Sequence, residues 1–200
     1  MYTVISMTEM LLFHSAHGLT PGVREFADRL RDLGHVVHLA DLFDGRVFDD
    51  LHEGSMYRDE LGIPELMARA SAAADALPPG VVFAGFSMGA APAQFLAQTR
   101  AGAAGALLMS GCLPSAMFET GWPAAVPLSV HGAEDDPWVD FHVARELVAE
   151  AVDGELWMYP GSGHLFADSG LPEFDPVHAE QLMTRVVAWL EAHSSPRAQA

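Results

Sequence analysis

The sequence predicts an α/β fold with a mostly parallel central sheet flanked by helices on both faces. Two observations point to it. Six short apolar runs of strand length recur along the chain, and amphipathic helical stretches lie between them. The runs are apolar on both faces, which suits strands covered on either side, and repeated strand-helix-strand order implies parallel strands joined by right-handed crossovers.

The elements follow in order. Leu11 to His14 is the first run. Thr20 and Pro21 then supply an N-cap and a first helical residue, Val23, Phe26, Ala27, Leu30 and Leu33 recur at helical spacing, and Gly34 suits the C′ position. Val36 to Asp41 is the second run. Residues 42 to 62, with Asp, Gly and His scattered through them, form the longest irregular segment and a candidate substrate cover. Pro64 to Ala76 is a helix ended by Pro78-Pro79-Gly80, and Val81 to Phe86 is the third run. Ala106 to Ser110, Leu128 to His131 and Glu155 to Tyr159 complete the sheet. Val139, Val143, Leu147 and Ala151 mark a helix stopped near Gly154, and Asp175 and Pro176 cap a last helix through Val186, Trp189 and Leu190. The expected organisation is one domain over residues 1–193 and a disordered tail over 194–200.

Composition narrows the function. A formal net charge of −17, with only 10 Lys and Arg, argues against nucleic acid, whose binding needs clustered cations. One cysteine excludes an intrachain disulfide framework and fits a reducing compartment. The apolar start lacks a basic region and is interrupted by Glu9, and no run reaches membrane-spanning length, so a soluble cytoplasmic protein without a membrane partner is expected. The pairs His14/His17 and His35/His38 have H-x-x-H spacing without a third ligand cluster, so neither a metal nor another cofactor is expected.

The chemistry concentrates at Gly85-Phe86-Ser87-Met88-Gly89, which follows a predicted strand, precedes a helix and matches G-x-S-x-G. The glycines matter sterically, because a serine on so sharp a turn leaves no room for side chains two positions away. A serine nucleophile needs a base held by an acid, in the chain order Ser, Asp, His. "AEDDPWVD" after one later strand offers Glu134, Asp135 and Asp136, of which Asp136 is preferred and Asp135 is the alternative. "PGSGHLFADS" after the last strand offers His164. The loop "FHSAHGLTPG" after the first strand supplies Ala16, whose backbone N–H is the expected oxyanion donor beside that of Met88; His14, Ser15 and His17 would then line a substrate site. In "CLPSAMFETGWPAAV", Met117, Phe118 and Trp122 either line an acyl site or fill the core, and Cys112 is expected to be a small buried hydrophobe.

The segments "LLFHSAHGLTPGVREFADRLRDLGHVVHLADLFDGRVF", "GFSMGAA", "HGAEDDPWVD" and "YPGSGHLFAD" together resemble the dienelactone hydrolase family, over about Leu11 to Leu190. The resemblance implies an α/β-hydrolase fold with Ser87, Asp136 and His164 as nucleophile, acid and base, and Ala16 and Met88 as backbone oxyanion donors. Two departures stand out. Family enzymes carry cysteine at the elbow with a glutamate from the first loop, where this chain has Ser87 and Ser15. They also hold a substrate carboxylate with arginines, one of them four residues past the histidine, where this chain has Asp168. The expected activity is therefore a carboxylesterase or lactonase acting on a small neutral ester or lactone. The alternative is a non-catalytic binding protein that keeps the elbow for packing.

Overall fold

The computed structural model describes residues 7–118 and 120–193. The strands are β1 (Glu9–Phe13), β2 (Val36–Ala40), β3 (Val81–Phe86), β4 (Gly105–Met109), β5 (Leu128–Ala133) and β6 (Gly154–Tyr159). The helices are α1 (Pro21–Asp32), α2 (Leu51–Leu61), α3 (Ile63–Asp75), α4 (Ala90–Thr99), α5 (Phe141–Glu150) and α6 (Pro176–His193). The sheet order is β2-β1-β3-β4-β5-β6, and every neighbouring pair is parallel. The predicted tail, residues 194–200, lies outside the described residues, as does the extreme N-terminus over 1–6.

Side-chain alternation along β1 shows why both faces are apolar. Met10 and Leu12 join Phe26 and Leu30 of α1 and Leu182 and Val186 of α6 in one cluster. Leu11 and Phe13 join Leu66 of α3, Leu96 of α4 and Leu147 of α5 in the other. Each fully buried side chain of this size contributes about 1.5–3 kcal/mol, so a strand apolar at every position is stabilised from both sides.

The helix ends follow the expected chemistry. Thr20 Oγ1 accepts the Val23 N–H at 3.1 Å with Pro21 next in sequence, and Asp175 Oδ1 accepts the Val177 and His178 N–H groups. The strand order reverses between β1 and β3, so their carboxyl ends open a crevice where ligands bind in folds of this kind.

Residues 42 to 62 are not one irregular segment. Asp50 accepts the Glu53 N–H at 3.0 Å and starts α2. Phe43, Phe48 and Tyr57 pack edge to face or tilted at centroid distances of 5.0–6.0 Å, which pins the preceding turn against this helix. The one buried residue of α2 is Gly54, so the helix has no apolar stripe for a sequence pattern to reveal.

Behind the sheet, His131 of β5 is buried between Ser129 Oγ at 3.0 Å and Tyr159 Oη at 2.9 Å, two hydroxyls that suit a neutral ring. Burial, with help from the nearby Arg185 guanidinium, pushes its pKa down from 6.5 to about 3. Burial also lowers the pKa values of His14 and His35. For a histidine with a depressed folded pKa, stability is fully present above the unfolded value and is lost as pH falls toward the folded one. Between pH 6.5 and pH 5, His131 alone should therefore cost about 2 kcal/mol of stability, at about 1.4 kcal/mol per pH unit. Urea denaturation at pH 7.5 and pH 5 should show that loss, and a His131→Asn protein should show a shallower one. Equal pH dependence in the two proteins would contradict this account.

Candidate active site

Ser87 sits where β3 turns into α4, at a φ of 51°, a left-handed conformation that costs an L-residue roughly 1–2 kcal/mol. The turn is too tight for side chains two positions away on either side. A Cβ on Gly85 would stand 2.0 Å from the Gly89 carbonyl oxygen, and one on Gly89 would stand 2.6 Å from the oxygens of Phe13 and His14. The elbow thus rests directly on the end of β1.

Three side chains from three loops meet there. The Ser87 hydroxyl lies 2.7 Å from His164 Nε2, and His164 Nδ1 lies 2.6 Å from Asp136 Oδ2. A carboxylate only accepts, so Nδ1 carries the ring proton and Nε2 is left to accept from the hydroxyl. Asp136 Oδ1 accepts the Trp138 N–H at 2.9 Å, and the carboxylate is fully buried. Glu134 and Asp135 are exposed. Between the two carboxylates that spacing left open, Asp136 is the one against His164.

The loop bearing His164 is held by a residue that sequence reasoning missed. Glu173 accepts the N–H groups of His164 and Leu165 at 2.9 and 3.0 Å, tying two consecutive backbone donors to one carboxylate. Nothing in the pattern around Glu173 marks it, because its partners are nine and eight residues away and are backbone groups.

His14, Ser15 and His17 do not line the cleft as expected. His14 is fully buried, accepts the Leu42 N–H at Nε2 and donates from Nδ1 to the Ser15 carbonyl, so it joins the ends of β1 and β2. Ser15 Oγ accepts the His17 N–H, and the His17 ring and backbone hold Phe48. These side chains brace the loop that contains Ala16. Ala16 itself is buried, with its carbonyl so close to α2 that a Cβ on Gly54 would stand 1.9 Å from it. Met88 lines the cleft. Among the described residues, no turn or loop hydrogen bond uses the Ala16 or Met88 N–H.

Asp168 also departs from expectation. It is 2 % exposed, accepts the Thr20 hydroxyl at 2.6 Å and the Gly170 N–H at 3.0 Å, and lies beneath the start of α1. Burial raises its pKa despite these bonds. It does not line the cleft, so it does not stand where the family's arginine would meet a substrate carboxylate.

The cleft above Ser87 has a volume of ≈ 430 Å³, within the usual range for a small-molecule site. Ile63, Met88, Leu113 and Trp138 supply its larger apolar walls. Arg58 and Asp59, from within residues 42 to 62, reach it from α2 and pair with each other at 2.7 Å. Trp122 belongs to the core, donating from its indole to the Val126 carbonyl, and Phe118 packs on Phe95. Cys112 lines the cleft and is only partly buried, and desolvation pushes its thiol pKa up to about 12. Among the described residues, no group of three His, Cys, Asp or Glu is placed to hold a metal ion.

Residues 6–194 match the dienelactone hydrolase family. The chain belongs to that family. Among solved structures it is similar to a dienelactone hydrolase-like promiscuous phosphotriesterase from metagenomic libraries, with 25% identity, 94% of this chain and 87% of that chain covered, and a TM-score of 0.75. It also shares its fold with a dienelactone hydrolase from Anabaena variabilis, at 19% identity, 94% and 88% coverage and a TM-score of 0.69. A propionate-bound thermophilic esterase from the Planctomycetes species Thermogutta terrifontis overlays at 15% identity, 100% and 88% coverage and a TM-score of 0.68. Curated proteins yield no match. This dienelactone hydrolase family member is thus a hydrolase with the α/β-hydrolase fold, and its expected substrate is a small molecule.

Proposed function

We propose that the chain is a serine hydrolase that cleaves a small neutral ester or lactone through an acyl-enzyme. The observation that carries this reading is the continuous hydrogen-bond chain from Ser87 through His164 to Asp136 at the floor of the cleft. His164 Nε2 takes the hydroxyl proton as Ser87 Oγ bonds to the carbonyl carbon, and the carbonyl electron pair moves onto oxygen. The Met88 and Ala16 N–H groups donate to that oxyanion, an interaction worth about 2.7–4 kcal/mol per donor in related chemistry. Collapse expels the alcohol, which takes the proton from His164, and water repeats the sequence to release the acid. Asp136 fixes the tautomer of His164 and stabilises the imidazolium that forms at each step.

A neutral substrate is favoured by the Arg58–Asp59 pair, in which the cleft's cation already has a carboxylate partner. A cytoplasmic setting fits the lone cysteine. No described helix is long and apolar enough to cross a membrane. A fluorophosphonate probe should label Ser87 in the native protein and fail to label a His164→Ala protein. Folded native protein that takes no label would overturn the reading and favour a non-catalytic binding protein.

A further inference from the structure

Trp138 is 69 % exposed, while Trp122 and Trp189 are buried. A lone exposed apolar residue carries little meaning, but the placement of this one is specific. Its backbone is tied to the proposed acid, since the Trp138 N–H donates to Asp136 Oδ1 and the Val139 N–H donates to the Asp136 carbonyl at 3.3 Å. Pro137 precedes it and restricts the chain further, and Val139 after it is buried. The indole stands 6.1 Å from the His164 ring, centroid to centroid and tilted by 47°, and lines the cleft. Ile63, 61 % exposed at the start of α3, lines the same cleft.

The chemistry fixes which part of a substrate meets this ring. The leaving oxygen must receive its proton from His164 Nε2, so the group attached to that oxygen lies on the His164 side of the cleft, where the Trp138 ring stands. Resting on the acyl-enzyme reading above, we propose that Trp138 is a specificity-determining residue whose indole stacks on a planar aromatic leaving alcohol. The preferred substrates are uncharged esters of such alcohols. Aromatic pairs favour offset-stacked or edge-to-face geometry and add stabilisation beyond the area they bury.

The test compares benzyl acetate with cyclohexylmethyl acetate, whose leaving alcohols match in size and differ in planarity. In Trp138→Ala, kcat/KM should fall about ten-fold for benzyl acetate and no more than about three-fold for the saturated ester, and Trp138→Phe should recover most of the loss. Equal losses on the two esters, or no loss on benzyl acetate, would overturn the proposal, because damage to Asp136 would affect both alike. A binding measurement separates this from failure of the hydrolase reading. Benzyl acetate should shift tryptophan emission of the Ser87→Ala protein, and the shift should vanish when Trp138→Phe is added. A Ser87→Ala protein with no such shift overturns the role of Trp138. A shift that depends on Trp138, in a native protein that neither hydrolyses esters nor takes the probe, overturns the acyl-enzyme and leaves the aromatic contact standing.

Discussion

Ser87→Ala should lower kcat/KM toward p-nitrophenyl esters by about 10⁵, leaving a residue of activity from binding and the oxyanion donors. The size follows from what is removed. The hydroxyl is the atom that bonds to the carbonyl carbon, and neither His164 nor Asp136 contributes once it is gone, so this loss should nearly equal that of the His164→Ala protein rather than add to it. The substitution is mild for the fold, because alanine keeps the Cβ that the φ of 51° already accommodates. Native-like urea unfolding with activity lost is the expected pair of results. Full esterase activity in Ser87→Ala would remove the nucleophile from the mechanism.

How legible this site was depended on whether the information was local. The elbow was readable because Gly85, Ser87 and Gly89 are fixed by contacts within five residues and by the adjacent end of β1. His164 was readable from its position after the last strand. The acid was readable only to within two residues, because β5 runs to Ala133 and the Asp136 N–H then bonds back to the Ala133 carbonyl, closing a turn that spacing alone does not register.

For Asp168 and His14 the sequence does not show the distant group that claims the side chain. The family resemblance implies a cleft position for Asp168, four residues past His164, yet Thr20, 148 positions earlier, binds its carboxylate and holds it beneath the start of α1. His14 looked like a pocket residue because it follows β1, but Leu42 offers an N–H to its ring and takes it into the interior. In α2 the missing signal was hydrophobic periodicity itself, since this helix packs its backbone at Gly54 against Ala16 instead of burying a stripe of side chains. The strands were legible as continuous apolar runs, buried at every position in β3, β4 and β5, and α1 and α6 were legible from the capping residues Thr20 and Asp175 at their starts.

Asp136→Asn should cost about 10³–10⁴ in kcat, although the side chain keeps its shape. The reason lies in the second bond that the carboxylate makes. The Trp138 N–H requires an acceptor at Oδ1, so an asparagine turns its carbonyl oxygen toward Trp138 and presents its NH₂ to His164 Nδ1. That nitrogen must then accept, the ring proton moves to Nε2, and the base can no longer take the Ser87 proton. The imidazolium that forms in acylation also loses its buried counter-charge. Asp135→Asn, at an exposed neighbour, should leave kcat within about two-fold, as surface changes away from such bonds usually do. Steady-state kinetics of the two variants decide the assignment, and a larger loss at Asp135 than at Asp136 would reverse it.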